Sequence, residues 1–351
     1  MPHTAAERDA MTRALLLAAA HEVPLGPNPR VGCVLLRSDG SVVAEGYHRG
    51  AGTAHAEVDA LTQAGDAAHG TTAVVTLEPC NHTGRTGPCA QALIAAGVRR
   101  VVIAQLDPNP VAAGGAQTLR AAGIDVEGGL MVDEARALNR CWSFAMDHQR
   151  PFVTWKFATT LDGRAAAVDG TSRWISGLAA RVDTHLLRAR SDTMLVGTGT
   201  VAVDDPQLTV RDADDRPLAR QPLRVVMGER DLPSDRRIFD GQAGSLHLRT
   251  RVPEAALAEL FARGSRHVFL EGGARLAAAF LRAGLIDEIV VYVAPVILGA
   301  GISAVADLGI TTIAEAFRPV VSDVTVLPGL GDEEPNVRLT LIPTRTTDQE
   351  S

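Results

Sequence analysis

Apolar positions recur at helical spacing from Thr4 to His21, which predicts an opening amphipathic helix ended by the cluster Pro24, Gly26, Pro27, Asn28, Pro29. Val31 to Leu36 and Val42 to Tyr47 then read as a hairpin around the turn-forming Ser38-Asp39-Gly40. Thr72 to Leu77 and Arg100 to Gln105 are short apolar runs of the kind a buried strand shows, and His55 to Ala64 and Cys89 to Ala96 read as helices. Two consecutive strand–loop–helix units thus aim Glu78-Pro79-Cys80 and Asp107-Pro108-Asn109-Pro110 at one spot, the usual place for a site in a layered α/β domain. A helix over Asp133 to Asp147 closes this half, and His148-Gln149-Arg150-Pro151 reads as the join.

Beyond the join the pattern resumes. Phe152 to Phe157, Thr193 to Val196, Arg224 to Met227, His267 to Leu270 and Glu288 to Ala294 read as strands, with helices over Gly177 to Arg190, Glu254 to Arg263 and Leu276 to Ala283 between them. Thr344 to Ser351 is polar and reads as a frayed end. The expectation is two α/β domains, over residues 1–148 and 151–345, with no motif shared between them. A length of 351 residues exceeds one comfortable core and agrees with two.

Composition narrows the class. Hydrophobic residues make up 46% and aromatics only 4%, which suits aliphatic α/β cores. No long uncharged apolar run and no basic-then-apolar leader is apparent, so a cytoplasmic location is expected and no membrane partner. A net charge of −7 argues against a nucleic-acid surface. Of four cysteines, Cys33 and Cys141 sit in apolar settings that read as buried thiols. Lys156 is the single lysine among 34 basic residues, which marks either a place that requires a compact ammonium or a leftover surface lysine.

The chemistry concentrates in His55-Ala56-Glu57, Pro79-Cys80 and Cys89. Zn²⁺ held by one imidazole and two thiolates keeps a fourth position open and brings the pKa of bound water to roughly 7. His55, Cys80 and Cys89 are the expected ligands. Glu57, two residues past the histidine, can take the water proton and deliver it to departing ammonia without ligating the metal. The insert between the cysteines is longer than the usual two residues and must loop out, which its glycines and proline suit. A closed structural zinc site would need a fourth donor, for which His82 is the candidate.

In the second half, His267 to Leu270 runs into Glu271-Gly272-Gly273 and a helix, and Leu195-Val196 runs into Gly197-Thr198-Gly199-Thr200. Glycine at a helix start exposes backbone N–H groups to phosphate, although such turns are more often only turns. Neither has the spacing of a Rossmann fingerprint.

Taken together these pieces resemble the bifunctional deaminase/reductase family of riboflavin biosynthesis over nearly the whole length. The matching pieces in the first half are Pro27-Asn28-Pro29, Val31-Gly32, His55-Ala56-Glu57, Glu78-Pro79-Cys80 through His82 and Gly84-Arg85-Thr86 to Pro88-Cys89, and Asp107-Pro108-Asn109-Pro110. In the second half they are Lys156-Phe157, Leu161-Asp162-Gly163-Arg164, Trp174-Ile175, Arg188-Ala189, Thr200 with Asp204-Asp205-Pro206, Leu208-Thr209 to Arg211, and Glu271-Gly272-Gly273.

The resemblance implies a cytidine-deaminase-like three-layer domain followed by a dihydrofolate-reductase-like one, with Zn²⁺ and NADPH as cofactors. It implies deamination of a phosphoribosylated diaminopyrimidinone, then reduction of its ribosyl group to ribityl. Asn28, His82, Arg85, Asp107 and Asn109 would contact the deaminase substrate. Ser172, Arg188, Leu208, Arg211 and Glu271 would hold the reductase substrate. Ala158, Trp174, Thr200, Asp204 and the turn Gly273, Ala274, Arg275, Leu276 would hold the cofactor, with Lys156 near the ribose being reduced. Arg188 and Arg211 suit a phosphate, which guanidinium binds bidentately. The expected partner is a small phosphorylated pyrimidine, with self-association left open. Two departures stand out: Val111-Ala112-Ala113-Gly114-Gly115 after the Asp107 loop, and Asn81-His82-Thr83 at the pocket rim. The rivals are a single-function nucleoside or tRNA deaminase, a reductase of the dihydrofolate type carrying a structural zinc module, and a non-enzymatic scaffold, in which a poised Glu57 beside an open metal position would have no purpose.

Overall fold

The computed structural model describes residues 3–20, 26–82, 87–212, 214–329 and 331–344. Expectations for Arg85, for the end of the first helix at His21, for the middle of the inter-cysteine insert and for the tail beyond Thr344 lie outside the described residues. The chain packs as two compact units, Met1–Gln149 and Arg150–Ser351.

The first unit opens with α1 (Ala5–Ala18), started by a capping box in which Thr4 Oγ1 accepts from the Glu7 N–H at 3.2 Å and Glu7 Oε2 accepts from the Thr4 N–H at 2.8 Å. Then follow β1 (Gly32–Leu36), β2 (Val42–Tyr47), α2 (Ala56–Ala64), β3 (Thr72–Leu77), α3 (Cys89–Ala95), β4 (Arg100–Gln105), α4 (Gly115–Ala121), β5 (Asp125–Gly128), α5 (Val132–Leu138) and α6 (Arg140–His148). The sheet runs β2-β1-β3-β4-β5, with β1 antiparallel to both neighbours and β3, β4 and β5 parallel. Strand alternation sends Cys33 and Leu35 of β1 to the face covered by α2, α3 and α4, and Val34 and Leu36 to the face covered by α1 and α5. Three layers result, and every residue of β3 is buried. Close approach demands glycine twice: a Cβ on Gly32 would lie 2.0 Å from the Ala14 carbonyl oxygen, and one on Gly46 would lie 2.3 Å from that of Ala56.

The expected single helix over Asp133 to Asp147 is two helices broken at Asn139. The cause is tertiary: the buried Asn139 amide accepts from the Arg30 N–H and donates to the Arg30 carbonyl, both at 2.9 Å.

The second unit contains β6 (Phe152–Thr160), β7 (Arg164–Ala166), α7 (Leu178–Ala189), β8 (Thr193–Gly197), α8 (Thr198–Asp204), β9 (Leu223–Met227), β10 (Ser245–Leu248), α9 (Pro253–Ala262), β11 (His267–Leu270), α10 (Ala274–Arg282), β12 (Glu288–Ala294), β13 (Ile302–Ser303), β14 (Val320–Leu327) and β15 (Asn336–Ile342). Eight strands form one sheet in the order β10-β9-β8-β11-β6-β12-β15-β14; the first six are parallel, and β15 and β14 complete it antiparallel. Leu257, Leu260, Ala277 and Phe280 of α9 and α10 pack on one face, and Ala180 and Val201 of α7 and α8 on the other. The hairpin of β14 and β15 does not figure among the strands expected from the sequence.

Candidate active sites

In the first unit the site gathers where β3 ends and two helices begin. His55 is the N-cap of α2 and its side chain makes no capping bond, so the ring is free to turn toward the sulfurs. Its Nδ1 lies 3.2 Å from Cys89 Sγ and 3.5 Å from Cys80 Sγ. The three donor atoms all lie within 4.8 Å of one another. The Cys89 N–H, at the start of α3, points at Cys80 Sγ at 3.4 Å. Hydrogen bonds from Cys89 and then from His55 favour the Cys80 thiolate and lower its pKa. Two thiols and an imidazole at this separation fit a tetrahedral zinc ion. Among the described residues His82 is not part of this donor group, and its Nδ1 is buried without a hydrogen-bond partner.

Glu57, in the first turn of α2, is only 3% exposed. Burial pushes its carboxyl up to about 7, and a cation among the neighbouring donors acts in the opposite direction. Asn28 Nδ2 lies 2.9 Å from His48 Nε2, and His48 Nδ1 lies 3.0 Å from the Ala54 carbonyl. A His48 that donates from Nδ1 and accepts at Nε2 is neutral, in line with the lowering of its pKa by burial. Its ring meets His55 edge-on at 5.3 Å. Asp107, pushed up to about 6 by burial, accepts from the Asn109 N–H at 2.8 Å. His48 was not anticipated; a lone histidine after a strand carries no signal in the sequence.

In the second unit, register sets Leu270 beside both Trp155 and Leu195, so Glu271 follows at the level of Lys156 on the neighbouring strand. Arg188, in the last turn of α7, grips Glu271 bidentately, Nε to Oε1 at 2.6 Å and Nη2 to Oε2 at 2.9 Å, and its Nη1 donates to the Thr209 carbonyl at 3.3 Å. Burial alone would raise Glu271, but the charge of Arg188, its hydrogen bonds and the charge of Lys156 hold it at about 2. Burial lowers Lys156, and Glu271 opposes that. The Lys156 ammonium sits 5.4 Å from the centre of the Tyr292 ring.

A cleft of about 460 Å³ opens beside this cluster. It brings together Trp174, Arg188, Leu208 and Arg211 of the anticipated residues and adds Arg181, His185, Gln207 and Arg237, which sequence reasoning missed. Ser172, Thr200, Asp204 and Glu271 do not line it. The fork of Arg188, expected to be open to phosphate, is occupied by Glu271; Arg211 donates to Gln207 and Asp215. Leu208 commits its side chain to the core around Val201, Ile238 and Phe269, and Ala158 packs against Ala180, Val290 and Tyr292. Trp174 is 69% exposed, with the Arg181 guanidinium 4.5 Å from its ring centre. The two glycine turns meet: the Gly273 N–H donates to Thr200 Oγ1 at 3.3 Å. Gly273 caps α10 with no side-chain bond, leaving backbone donors of that helix for a phosphate-bearing cofactor. Gly272 serves packing instead, since a Cβ there would lie 2.7 Å from Leu276 Cδ2.

Family models agree with this division. Residues 5–105 match the cytidine and deoxycytidylate deaminase zinc-binding region, and residues 151–326 match the RibD C-terminal domain. The riboflavin biosynthesis protein RibD of Mycobacterium tuberculosis (strain CDC 1551 / Oshkosh) is 49% identical over 293 residues, 83% of this chain and 86% of that protein. The chain belongs to the RibD family. RibD of Escherichia coli (strain K12) is 42% identical over 340 residues, covering 87% of this chain and 92% of that one. The solved structure of Acinetobacter baumannii RibD (form 2) matches with a TM-score of 0.87 at 40% identity, over 97% of this chain and 99% of that one. That of the Thermotoga maritima diaminohydroxyphosphoribosylaminopyrimidine deaminase/5-amino-6-(5-phosphoribosylamino)uracil reductase matches with a TM-score of 0.84 at 31% identity, over 97% and 99%. Like other RibD proteins, this one is a bifunctional deaminase/reductase of riboflavin biosynthesis, and its α/β fold comprises a cytidine-deaminase-like first unit and a RibD reductase second unit. Zinc belongs to the first activity and NADPH to the second. Among the described residues no helix is long and apolar enough to cross a membrane.

Proposed function

We propose that His55, Cys80 and Cys89 hold the zinc, that Glu57 is the proton shuttle of deamination, and that Lys156 serves the reduction. The convergence of one imidazole and two thiols within 4.8 Å, beside a buried carboxylate, carries this reading. Zinc so held supplies the Lewis acidity that brings water to a pKa of about 7. The substrate is 2,5-diamino-6-(5-phosphoribosylamino)pyrimidin-4-one. Glu57 takes the proton of the attacking water at a carboxylate oxygen and returns it to the departing amine, while Asn28, held by His48, and Asp107 and Asn109 grip the pyrimidine edge. His82 completes the contacts at the rim, and Arg85 is a further substrate contact by resemblance.

In the reductase half NADPH supplies hydride. Thr200, the Gly273-to-Leu276 turn, Asp204, Trp174 and the backbone at Ala158 bind it, with Asp204 suited to hydroxyl or carboxamide donors rather than phosphate. Ser172, Arg211 and the backbone at Leu208 hold the ribose phosphate. Burial lowers the pKa of Lys156 and Glu271, fixed by Arg188, opposes that, which favours a Lys156 that donates to the sugar oxygen as hydride arrives. The working domains are residues 1–148 and 151–345, in a cytoplasmic enzyme.

A coupled assay on the zinc-loaded protein tests this, recording ammonia and NADPH consumption in one tube. Glu57→Gln is expected to abolish ammonia release while the pre-deaminated substrate is still reduced. NADPH consumption without ammonia from the wild type would make the zinc site structural.

A further inference from the structure

Glu78, two residues ahead of Cys80, has no part in the chemistry above, yet it is a charged side chain only 7% exposed. Its Oε2 accepts from the Asp107 N–H at 3.1 Å, and its Oε1 accepts from the Gly114 N–H at 3.2 Å and the Ala116 N–H at 2.9 Å. Its own N–H donates to the Gln105 carbonyl at 2.9 Å. One carboxylate therefore fastens both ends of the loop that carries Asp107 and Asn109.

Among the described residues, further hydrogen bonds to the loop and to the helix that follows it come from the same stretch of chain. The Asn81 N–H donates to the Ala112 carbonyl at 2.9 Å, and Asn81 Oδ1 accepts from Thr118 Oγ1 at 3.1 Å. Gly115 lies so close to the Pro79 carbonyl that a Cβ would come within 1.7 Å of it. Residues 78–81 thus hold the loop, and Cys80, a metal donor, is one of them. Three N–H donors approaching from two sides need two acceptor oxygens, which a carboxylate has and an amide does not: a glutamine would turn an NH₂ toward one set of donors.

We propose that Glu78 is a positioning residue for deamination, which fixes the height of Asp107 and Asn109 over the metal donors by tying both ends of their loop to the chain at Cys80. The inference rests on the reading that Asp107 and Asn109 touch the substrate. Within the departure at Val111 to Gly115, Val111 to Ala113 form the middle of the loop, while Gly114 and Gly115 belong to the end that Glu78 and Pro79 hold.

The test uses the full zinc-loaded chain carrying Glu78→Gln, Glu78→Asp or Asn109→Ala. Zinc content, steady-state ammonia release, reduction of the pre-deaminated substrate and amide hydrogen exchange are measured on the same samples. Glu78→Gln is expected to keep zinc and reductase turnover and to raise the deaminase KM about tenfold, equivalent to about 1.4 kcal/mol. Its kcat should move less, and exchange protection should fall at Asp107, Gly114 and Ala116 while β3 and β4 keep theirs. If Glu78→Gln yields no zinc-loaded protein, Glu78→Asp, which keeps the charge but withdraws it by one methylene, must show the KM rise. An unchanged KM in whichever of the two is loaded overturns the proposal, as does loss of zinc from both. A raised KM in Asn109→Ala with an unchanged KM at Glu78 sinks this inference alone. An unchanged KM in Asn109→Ala removes the reading beneath it.

Discussion

Replacing Glu271 by glutamine puts the electrostatics of the reductase cluster to a quantitative test. The Arg188 and Glu271 side chains are 16% and 11% exposed, joined by two hydrogen bonds. Removing one partner of a buried pair costs about 3–5 kcal/mol, because the other charge is left without compensation. Some solvent reaches this pair, so the low end, about 3 kcal/mol, is the better expectation. Linkage supplies a second route. Glu271 is held at about 2 against 4.5 for a free glutamate, which corresponds to about 3 kcal/mol of stabilisation. The folded pKa is depressed, so this stability is fully present above pH 4.5 and is lost as pH falls through about 2. The two values describe the same interaction and are not additive. The assay is native-state amide exchange at the core strands β6 and β11, which avoids assuming that the two units unfold together. Glu271→Gln should reduce protection there by about two orders of magnitude, with the wild-type loss of protection in acid flattened. Arg188→Met combined with Glu271→Gln should recover much of the loss, since both charges then leave. A cost below about 1 kcal/mol, the worth of an exposed pair, would refute the argument.

Lys156→Met should lower reductase turnover by about 10²-fold or more while leaving phosphate binding intact, read as a fall in kcat at constant KM; intact turnover with weaker binding would count against its proposed role. Arg224 is fully buried and donates to Asp240 at 2.9 Å and to the carbonyls of Gln207, Arg237 and Ala243. Arg224→Met should therefore cost about 3 kcal/mol in urea unfolding of the second unit and raise the reductase KM through Gln207 and Arg237, leaving deamination untouched. Removing zinc with a chelator should stop ammonia release and leave reduction of the pre-deaminated substrate at its original rate, and zinc alone should restore the first activity.

The elements legible in the sequence are those whose signal is local. β3 and β11 are short apolar runs buried on both faces, and their bounds were evident from Thr72–Leu77 and His267–Leu270. The motif around His55 and Glu57 was legible because a short spacing at a helix start fixes which side chains can face one metal. The break at Asn139 was not, since its cause is the distant Arg30 backbone. β14 was hidden because Ser322 and Asp323 interrupt its valines where the register shifts, and those valines are largely exposed and face no core. The reductase cleft was legible only through resemblance: Arg181, His185, Gln207 and Arg237 come from segments that meet only after folding. Nor could spacing reveal that Arg188 is bound to Glu271, a partner far along the chain.

The central place of β6 in its sheet bears on how the chain is made. Phe152 to Trp155 pair with His267 to Leu270, and Thr154 to Thr160 pair with Glu288 to Ala294 on the other side. The first strand of the second unit to leave the ribosome thus waits for partners more than a hundred residues behind it, on the order of ten seconds at ordinary elongation rates. During that interval the first unit has all the strands of its own sheet, while Val153, Trp155 and Phe157 stand on an edge with nothing to cover them. Slow synthesis, or any pause before residue 267, prolongs the exposure of that edge, so the yield of active reductase should depend more on translation rate and on chaperone supply than the yield of active deaminase from the same polypeptide.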